Sequence, residues 1–253
     1  MNVFITGKSS FFSKLLNKSL SNIEIIEIKS LTNTQSKKMK FDMSFLKELT
    51  PESIIIHAAW NMKNRNLNSS QLINLNGTLN LFNSLDEKTK TQFIFISSTG
   101  ANKNAVSVYG KHKYEVEQRI IKGGGEVLKC GLLIDKDNPF LDGFFANLYK
   151  LAKSVPVIPN FSGTNPIYQI TNDQSIKRTF ETTLIGKGKN EIYECFETEN
   201  YSFKQLVNEV MGINKPIVNI PWHVGYYTSK IFEIFKINFP IKSDSLLGIK
   251  EIK

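Results

Sequence analysis

Between Asn2 and Leu133, five short and almost unbroken apolar runs alternate with longer segments of helical spacing. The runs are Asn2–Ile5, Ile23–Ile28, Ser53–His57, Gln92–Ser97 and Glu126–Leu133, rich in Ile, Val and Phe. A strand with one wet face alternates apolar and polar residues. A continuous apolar run is buried on both faces, as in a parallel sheet. The segments Phe11–Lys18, Ser44–Leu49, Ser69–Leu85 and Tyr109–Lys122 predict helices; in the last, Val116, Ile120 and Ile121 fall on one side. Strand–helix alternation of this kind predicts an α/β fold built on a doubly wound parallel sheet. Beyond Asp137 the pattern loosens, and Pro156, Pro159, Gly163 and Pro166 mark a loop-rich stretch. A short element at Ile167–Ile170, a helix Phe203–Val210 capped by Ser202, and a run from Trp222 to Phe235 follow. The expected division is a larger sheet domain over residues 1–155 and a smaller C-terminal portion over 156–253, with the chain free to cross between them.

Composition narrows the function classes. The net charge is +9, but only Arg65, Arg119 and Arg178 are arginines among 32 cationic residues. Base-reading surfaces favour the planar guanidinium fork, so the excess lysine reads as a solvated surface and not as a nucleic-acid site. No apolar stretch approaches the length of a membrane span, and no membrane partner is expected. The N-terminus lacks a cationic region ahead of a long apolar core, so no secretory signal is expected. Cys130 and Cys195 are too few for a disulfide framework and have no metal-ligand spacing. They predict reduced core thiols in a cytoplasmic protein without a structural metal.

Two local patterns carry chemistry. The first strand runs into Thr6-Gly7-Lys8-Ser9-Ser10-Phe11-Phe12-Ser13. A tight turn followed by a helix N-terminus is what a dinucleotide pyrophosphate requires, and Gly7 supplies the permissive backbone. Ser10 and Ser13 stand where two further small residues are wanted. The second pattern is Tyr109-Gly110-Lys111-His112-Lys113. Residues i and i+4 lie on one helix face, so the ammonium of Lys113 stands one turn from the phenol of Tyr109. A neighbouring positive charge favours phenolate and suits the phenol to acid–base work. Just upstream, Gln92–Ser97 runs on into Ser98 and Thr99, an apolar strand ending in hydroxyls that can hydrogen-bond a reacting oxygen beside the phenol.

Together these segments resemble the extended short-chain dehydrogenases/reductases, the nucleotide-sugar epimerase/dehydratase group. The turn is similar to that family's TGxxGFxG, with Gly7, Ser10 and Ser13 at the glycine positions. His57-Ala58-Ala59 resembles its HxAA strand end, and Leu75–Leu81 its NVxGTxNLL helix with Asn74 at the Asn position. Leu128–Leu133 resembles LRPGxxYG, and Pro166–Asp173 the later P-x-x-x-V-x-D-V segment. The matches follow the family's order along nearly the whole chain. The resemblance implies a Rossmann fold with a small substrate-binding portion and Tyr109, Lys113 and Ser98 as catalytic residues. Gly7, Ser10, Phe11, Phe12, Lys29, Ser30, Asp42, Ala58, Ala59, Asn74 and Lys113 are the implied cofactor contacts. Lys29-Ser30 after the second strand favours NADP; a one-residue slip would bring Glu27 to that place and favour NAD. Asp42 reads either as the family's adenine-side Asp or as the cap of the next helix. His57 reads more readily as a packed histidine.

The reaction is narrowed by two departures. Ser98 is followed by Thr99 and Gly100. The acidic pair that follows in the family's dehydratases is missing. Ser98 and Tyr109 are eleven positions apart, about half the family's usual loop, which resembles the 4-ketoreductases of surface-polysaccharide pathways. The implied activity is NADP-dependent reduction of a nucleotide-linked keto sugar. The alternatives are a 4-epimerase with bound NAD and a non-catalytic cofactor-binding or scaffold protein. The family also implies a homodimer through Ser69–Leu85 and Tyr109–Lys122, where Leu72, Leu75, Leu79 and Leu81 serve either a bundle or the sheet.

Overall fold

The computed structural model describes residues 2–20, 24–28, 41–62, 68, 71–138, 143–161, 166–183, 187–235 and 242–251. Its strands are β1 (Asn2–Thr6), β2 (Glu24–Glu27), β3 (Ile54–His57), β4 (Phe93–Ser98), β5 (Glu126–Cys130), β6 (Leu132–Leu133), β7 (Ile158–Asn160), β8 (Tyr168–Thr171), β9 (Ile192–Cys195), β10 (Asn200–Tyr201) and β11 (Ile217–Asn219). Six form one sheet in the order β2-β1-β3-β4-β5-β9, every neighbouring pair parallel. The chain runs outward from β1 to β2 and then returns past β1 to β3, so the strand order reverses there. In open α/β sheets a ligand crevice lies at the carboxyl ends of the strands at that reversal.

The apolar runs explain the layering. Val3, Ile5, Ile54, Ile56, Ile94 and Ile96 pack into one core cluster, and their alternating neighbours Phe4, Ile55, Phe93 and Phe95 into another. Successive strand side chains point to opposite faces, so a run apolar at every position feeds two cores at once. Helix α1 (Phe11–Ser19) covers the first face with Phe12, Leu15 and Leu16. Helices α2 (Asn76–Asn83) and α3 (Val108–Lys122) cover the second with Leu79, Leu81, Phe82, Val116 and Ile120. Leu75, Leu79 and Leu81 therefore serve the sheet, whereas Leu72 is exposed. The helix expected over Ser69–Leu85 begins, within the described residues, as a wider π turn at Gln71–Leu75. The one expected at Ser44–Leu49 is a 3-10 turn, Met43–Glu48.

A third core belongs to the C-terminal part of the chain. Phe145, Leu148 and Tyr149 of α4 (Gly143–Ser154) pack with Tyr168, Phe203, Leu206, Val207 and Leu246. Helix α5 (Asp173–Thr182) and β9 do not join it. Ile176, Tyr193 and Cys195 pack into the first sheet core instead. The division drawn at residue 155 is thus crossed in both directions. The physical reason is the open edge of β5, whose ladder groups take β9 as a sixth strand. Cys130 and Cys195 face each other in that register and are both buried and free. Helices α6 (Trp222–Ile234) and α7 (Ser243–Glu251) close the chain. No helix among the described residues is long and apolar enough to cross a membrane, and no group of residues there could hold a metal ion.

Candidate active site

The turn after β1 is built on one glycine. Gly7 has φ +73°, and a Cβ there would lie 2.8 Å from both Cα and N of Ala59. Only a residue without a side chain fits both that conformation and that approach. Ser10 caps α1: its Oγ accepts from the Ser13 amide at 3.2 Å. Ser13 donates from its Oγ to the Gly7 carbonyl at 2.9 Å and meets Ser10 Oγ at 2.8 Å. The two serines at the expected glycine positions thus knit the turn to itself. Phe11 is half-buried against the first core, and Phe12 lies inside it, so Phe12 offers the crevice only its backbone. Lys29 and Ser30 lie outside the described residues.

The end of β3 is held by a buried polar chain. His57 Nδ1 lies 2.8 Å from Thr6 Oγ1, and its Nε2 lies 2.8 Å from Thr78 Oγ1. Thr78 donates its own proton to the Asn74 carbonyl at 2.7 Å. The proton between His57 and Thr78 therefore sits on Nε2, which leaves Nδ1 to accept from Thr6. Burial pushes the imidazole pKa down to about 3. Phe93 and Phe95 stack with the ring at 6.1 Å each. His57 is a neutral packing residue. Asn74 is buried, accepts from the Asn61 amide at 2.7 Å and donates to the Asn61 carbonyl at 3.1 Å. It holds the loop carrying Ala58 and Ala59, both half-buried at the crevice. Asp42 caps the 3-10 turn, accepting from the Ser44 amide at 2.9 Å.

Helix α3 brings the second pattern to the same edge of the sheet. Ser107 caps it, accepting from the Gly110 amide at 3.1 Å. The carboxylate of Asp244, from α7, accepts from the amides of Val108 at 2.8 Å and Tyr109 at 3.4 Å. A Cβ at Gly110 would stand 2.5 Å from the Gly100 carbonyl, so the helix sits directly on the loop that follows Ser98. That short loop is folded by its own turns, Ala101 N to Ser98 O at 2.9 Å and Ala105 N to Asn102 O at 3.1 Å. Ser98 is half-buried, and its Oγ accepts from the Gly100 amide at 3.3 Å.

Lys113 is buried, and its Nζ donates to the Ile96 carbonyl. Three aromatic rings surround the ammonium, with centroids at 4.5 Å (Trp60), 4.7 Å (Phe95) and 5.4 Å (Tyr109). Burial draws its pKa down to about 8. Trp60 and Tyr109 meet edge-on at 6.1 Å. One turn further along the helix, Glu117 is fully buried, accepts from Ser97 Oγ and stands 3.3 Å from Lys129 Nζ, an ion pair short of good hydrogen-bond geometry. Burial raises its pKa. Sequence reading missed Trp60, Glu117 and Asp244. The first two had signals, an aromatic directly after Ala59 and a carboxylate at i+8 from Tyr109; Asp244 had none.

No family model matches the sequence, and no curated protein does. Solved structures do. UDP-glucose 4-epimerase from Thermotoga maritima shares 18% identity over 87% of this chain and 86% of its own, with a TM-score of 0.57. The Pseudomonas aeruginosa protein RMD, complexed with NADPH, shares 16% over 99% and 98%, at 0.58. dTDP-4-dehydrorhamnose reductase from Yersinia enterocolitica shares 13% over 88% and 85%, at 0.59. The chain has the Rossmann fold of these enzymes. Within that fold the Gly7 turn, Ala58 and Ala59 line the strand-order reversal, and Tyr109, Lys113 and Ser98 stand at the carboxyl edge of β4 beside it.

Proposed function

We propose that this protein is an NADP-dependent reductase of a nucleotide-linked keto sugar, with Tyr109 as the proton donor. The observation that carries the reading is the ammonium of Lys113, enclosed with Trp60 and Tyr109 at the edge of the reversed sheet. The turn supports a dinucleotide in the crevice: Gly7, at φ +73°, turns the chain from β1 directly into the N-terminus of α1, where backbone amides favour an anion. Gly7, Ser10, the Phe11 and Phe12 backbone, Ala58 and Ala59 would hold the dinucleotide, with Asp42 toward its adenine side. NADPH, when bound, supplies the hydride. Asn74 serves the same crevice through the Asn61 backbone it grips. NADP is preferred on the sequence pair Lys29-Ser30 that follows Ile28; the exposed Glu27 that ends β2 is the carboxylate that would favour NAD.

Tyr109 passes its phenolic proton to the oxygen of the reduced carbonyl, and Ser98 donates a hydrogen bond to that oxygen. Lys113 keeps positive charge next to the phenolate left behind. The absence of an acidic pair after Ser98 argues against elimination chemistry. UDP-glucose 4-epimerase and dTDP-4-dehydrorhamnose reductase, whose fold this chain shares, act on nucleotide-linked sugars, which supports the substrate class. The same reading makes the protein a cytoplasmic enzyme, and a homodimer through the outer sides of α2 and α3.

The test is loss of reduced-nicotinamide absorbance with NADPH and UDP- or TDP-linked 4-keto sugars. Tyr109→Phe should lower turnover by roughly 10²–10⁴-fold with NADPH affinity and melting temperature unchanged. No turnover with any such sugar, alongside normal NADPH binding, removes the reductase assignment. Protein purified with tightly held NAD, and no net cofactor consumption, would make it an epimerase.

A further inference from the structure

Helix α6 presents an apolar face to the outside of the molecule. Its inner side carries Gly225, where a Cβ would stand 2.4 Å from the Phe161 ring, and fully buried Ser229. The opposite side carries Val224, Tyr227, Ile231, Ile234 and Phe235, with Ile234 73% and Phe235 70% exposed. The spacing of three and four residues places these five in one stripe along the helix. Single exposed apolar residues are ordinary, whereas a contiguous stripe of this size marks an interaction surface. Val218 in β11, from which α6 departs, and Val157 just before β7 are also exposed and add to the apolar surface of this part of the chain.

The charges beside the stripe choose the partner. Lys230 is exposed along it, and no exposed residue of the helix is acidic. The one carboxylate on α6, Glu233, is committed elsewhere: it accepts from the Ser243 amide at 2.9 Å and from Ser243 Oγ at 2.8 Å. A second copy of this helix meeting the face across a two-fold axis would bring another exposed Lys230 and no exposed acid to answer it. The complementary surface is apolar beneath and anionic above, and the chain approaching it carries a net charge of +9. We propose that the outer face of α6 docks this protein onto an anionic lipid surface. Ile231, Ile234 and Phe235 enter the acyl boundary, Tyr227 sits at the headgroup level, and Lys230 meets the phosphates. This docking stands apart from the reaction assigned above and does not depend on it.

Vesicle flotation of the full chain tests it, with phosphatidylcholine alone and with phosphatidylcholine containing phosphatidylglycerol. The protein should float with the anionic vesicles, stay behind with the neutral ones, and be released by high salt. Lys230→Glu and the double variant Ile231→Glu/Ile234→Glu should each weaken binding by about tenfold or more, with circular dichroism and melting temperature unchanged. Equal flotation on neutral vesicles, no flotation, or unaltered flotation of the folded variants overturns the proposal. So does a wild-type dimer in sedimentation that the double variant splits, which would make the face a contact between copies.

Discussion

His57 makes the fold sensitive to acid. Its folded pKa is about 3 against an ordinary 6.5. Between those values the unfolded chain binds a proton that the folded chain refuses, so stability rises with pH across the window. The contribution is complete above about pH 6.5 and is lost as pH falls toward 3, with a slope of at most about 1.4 kcal/mol per pH unit. His57→Asn should flatten that slope, read as a smaller difference between urea midpoints at neutral and mildly acidic pH. Lys113 obeys the same rule in the alkaline range: with a folded pKa near 8 it refuses a proton the unfolded chain accepts up to about 10.5. The burial that makes its ammonium useful beside Tyr109 is therefore a stability cost at neutral pH. The Tyr109/Lys113 spacing was legible because i and i+4 geometry is local. The state of His57 was not, because it depends on Thr6, Thr78 and two phenylalanines brought together from three other segments.

At the scale of elements, helix α3 begins on two acceptors of different origin. Ser107 is adjacent in sequence, and Asp244 arrives from α7. Loss of an N-cap acceptor costs about 1 kcal/mol, and a carboxylate adds a few tenths or more by answering the helix dipole. Asp244→Ala should lower the melting temperature by roughly 2–4 °C per kcal/mol lost in a chain of this size, and Asp244→Asn by less. Because Asp244 also binds the Tyr109 amide, the alanine variant should lose turnover at saturating substrate while its affinity for NADPH holds. The helix itself was readable from Val116, Ile120 and Ile121. Its distant cap was not, since no local pattern links position 244 to position 108. The run Trp222–Phe235 was likewise visible as an element, while neither its helical form nor its outward apolar side was.

For the molecule as a whole, the sheet edge decides what can fold alone. A fragment ending at residue 155 would keep five strands of the main sheet but lose β9 and α5, hence Ile176, Tyr193 and Cys195 from the first core. It would also expose Phe145, Leu148 and Tyr149, whose partners Tyr168, Phe203 and Leu206 lie beyond the cut. Residues 1–155 alone should therefore lack a cooperative urea transition and bind a hydrophobic dye, whereas the full chain unfolds sharply. A fragment with the full chain's melting behaviour would show that the two parts are separable.

Short-range physics was written in the chain. Unbroken apolar runs dictated a sheet buried on both faces, Gly7 followed by a helix start dictated the turn, and the Tyr109/Lys113 spacing dictated a shared helix face. Each rests on residues within a few positions of one another, where periodicity and backbone sterics act directly. Tertiary structure alone decided that Asn74 grips a loop, that Trp60 covers Lys113, that β9 returns to the first sheet and that α6 turns apolar residues outward. Those outcomes depend on which distant surface arrives opposite each side chain. Periodicity names the faces of an element; only packing determines what each face meets.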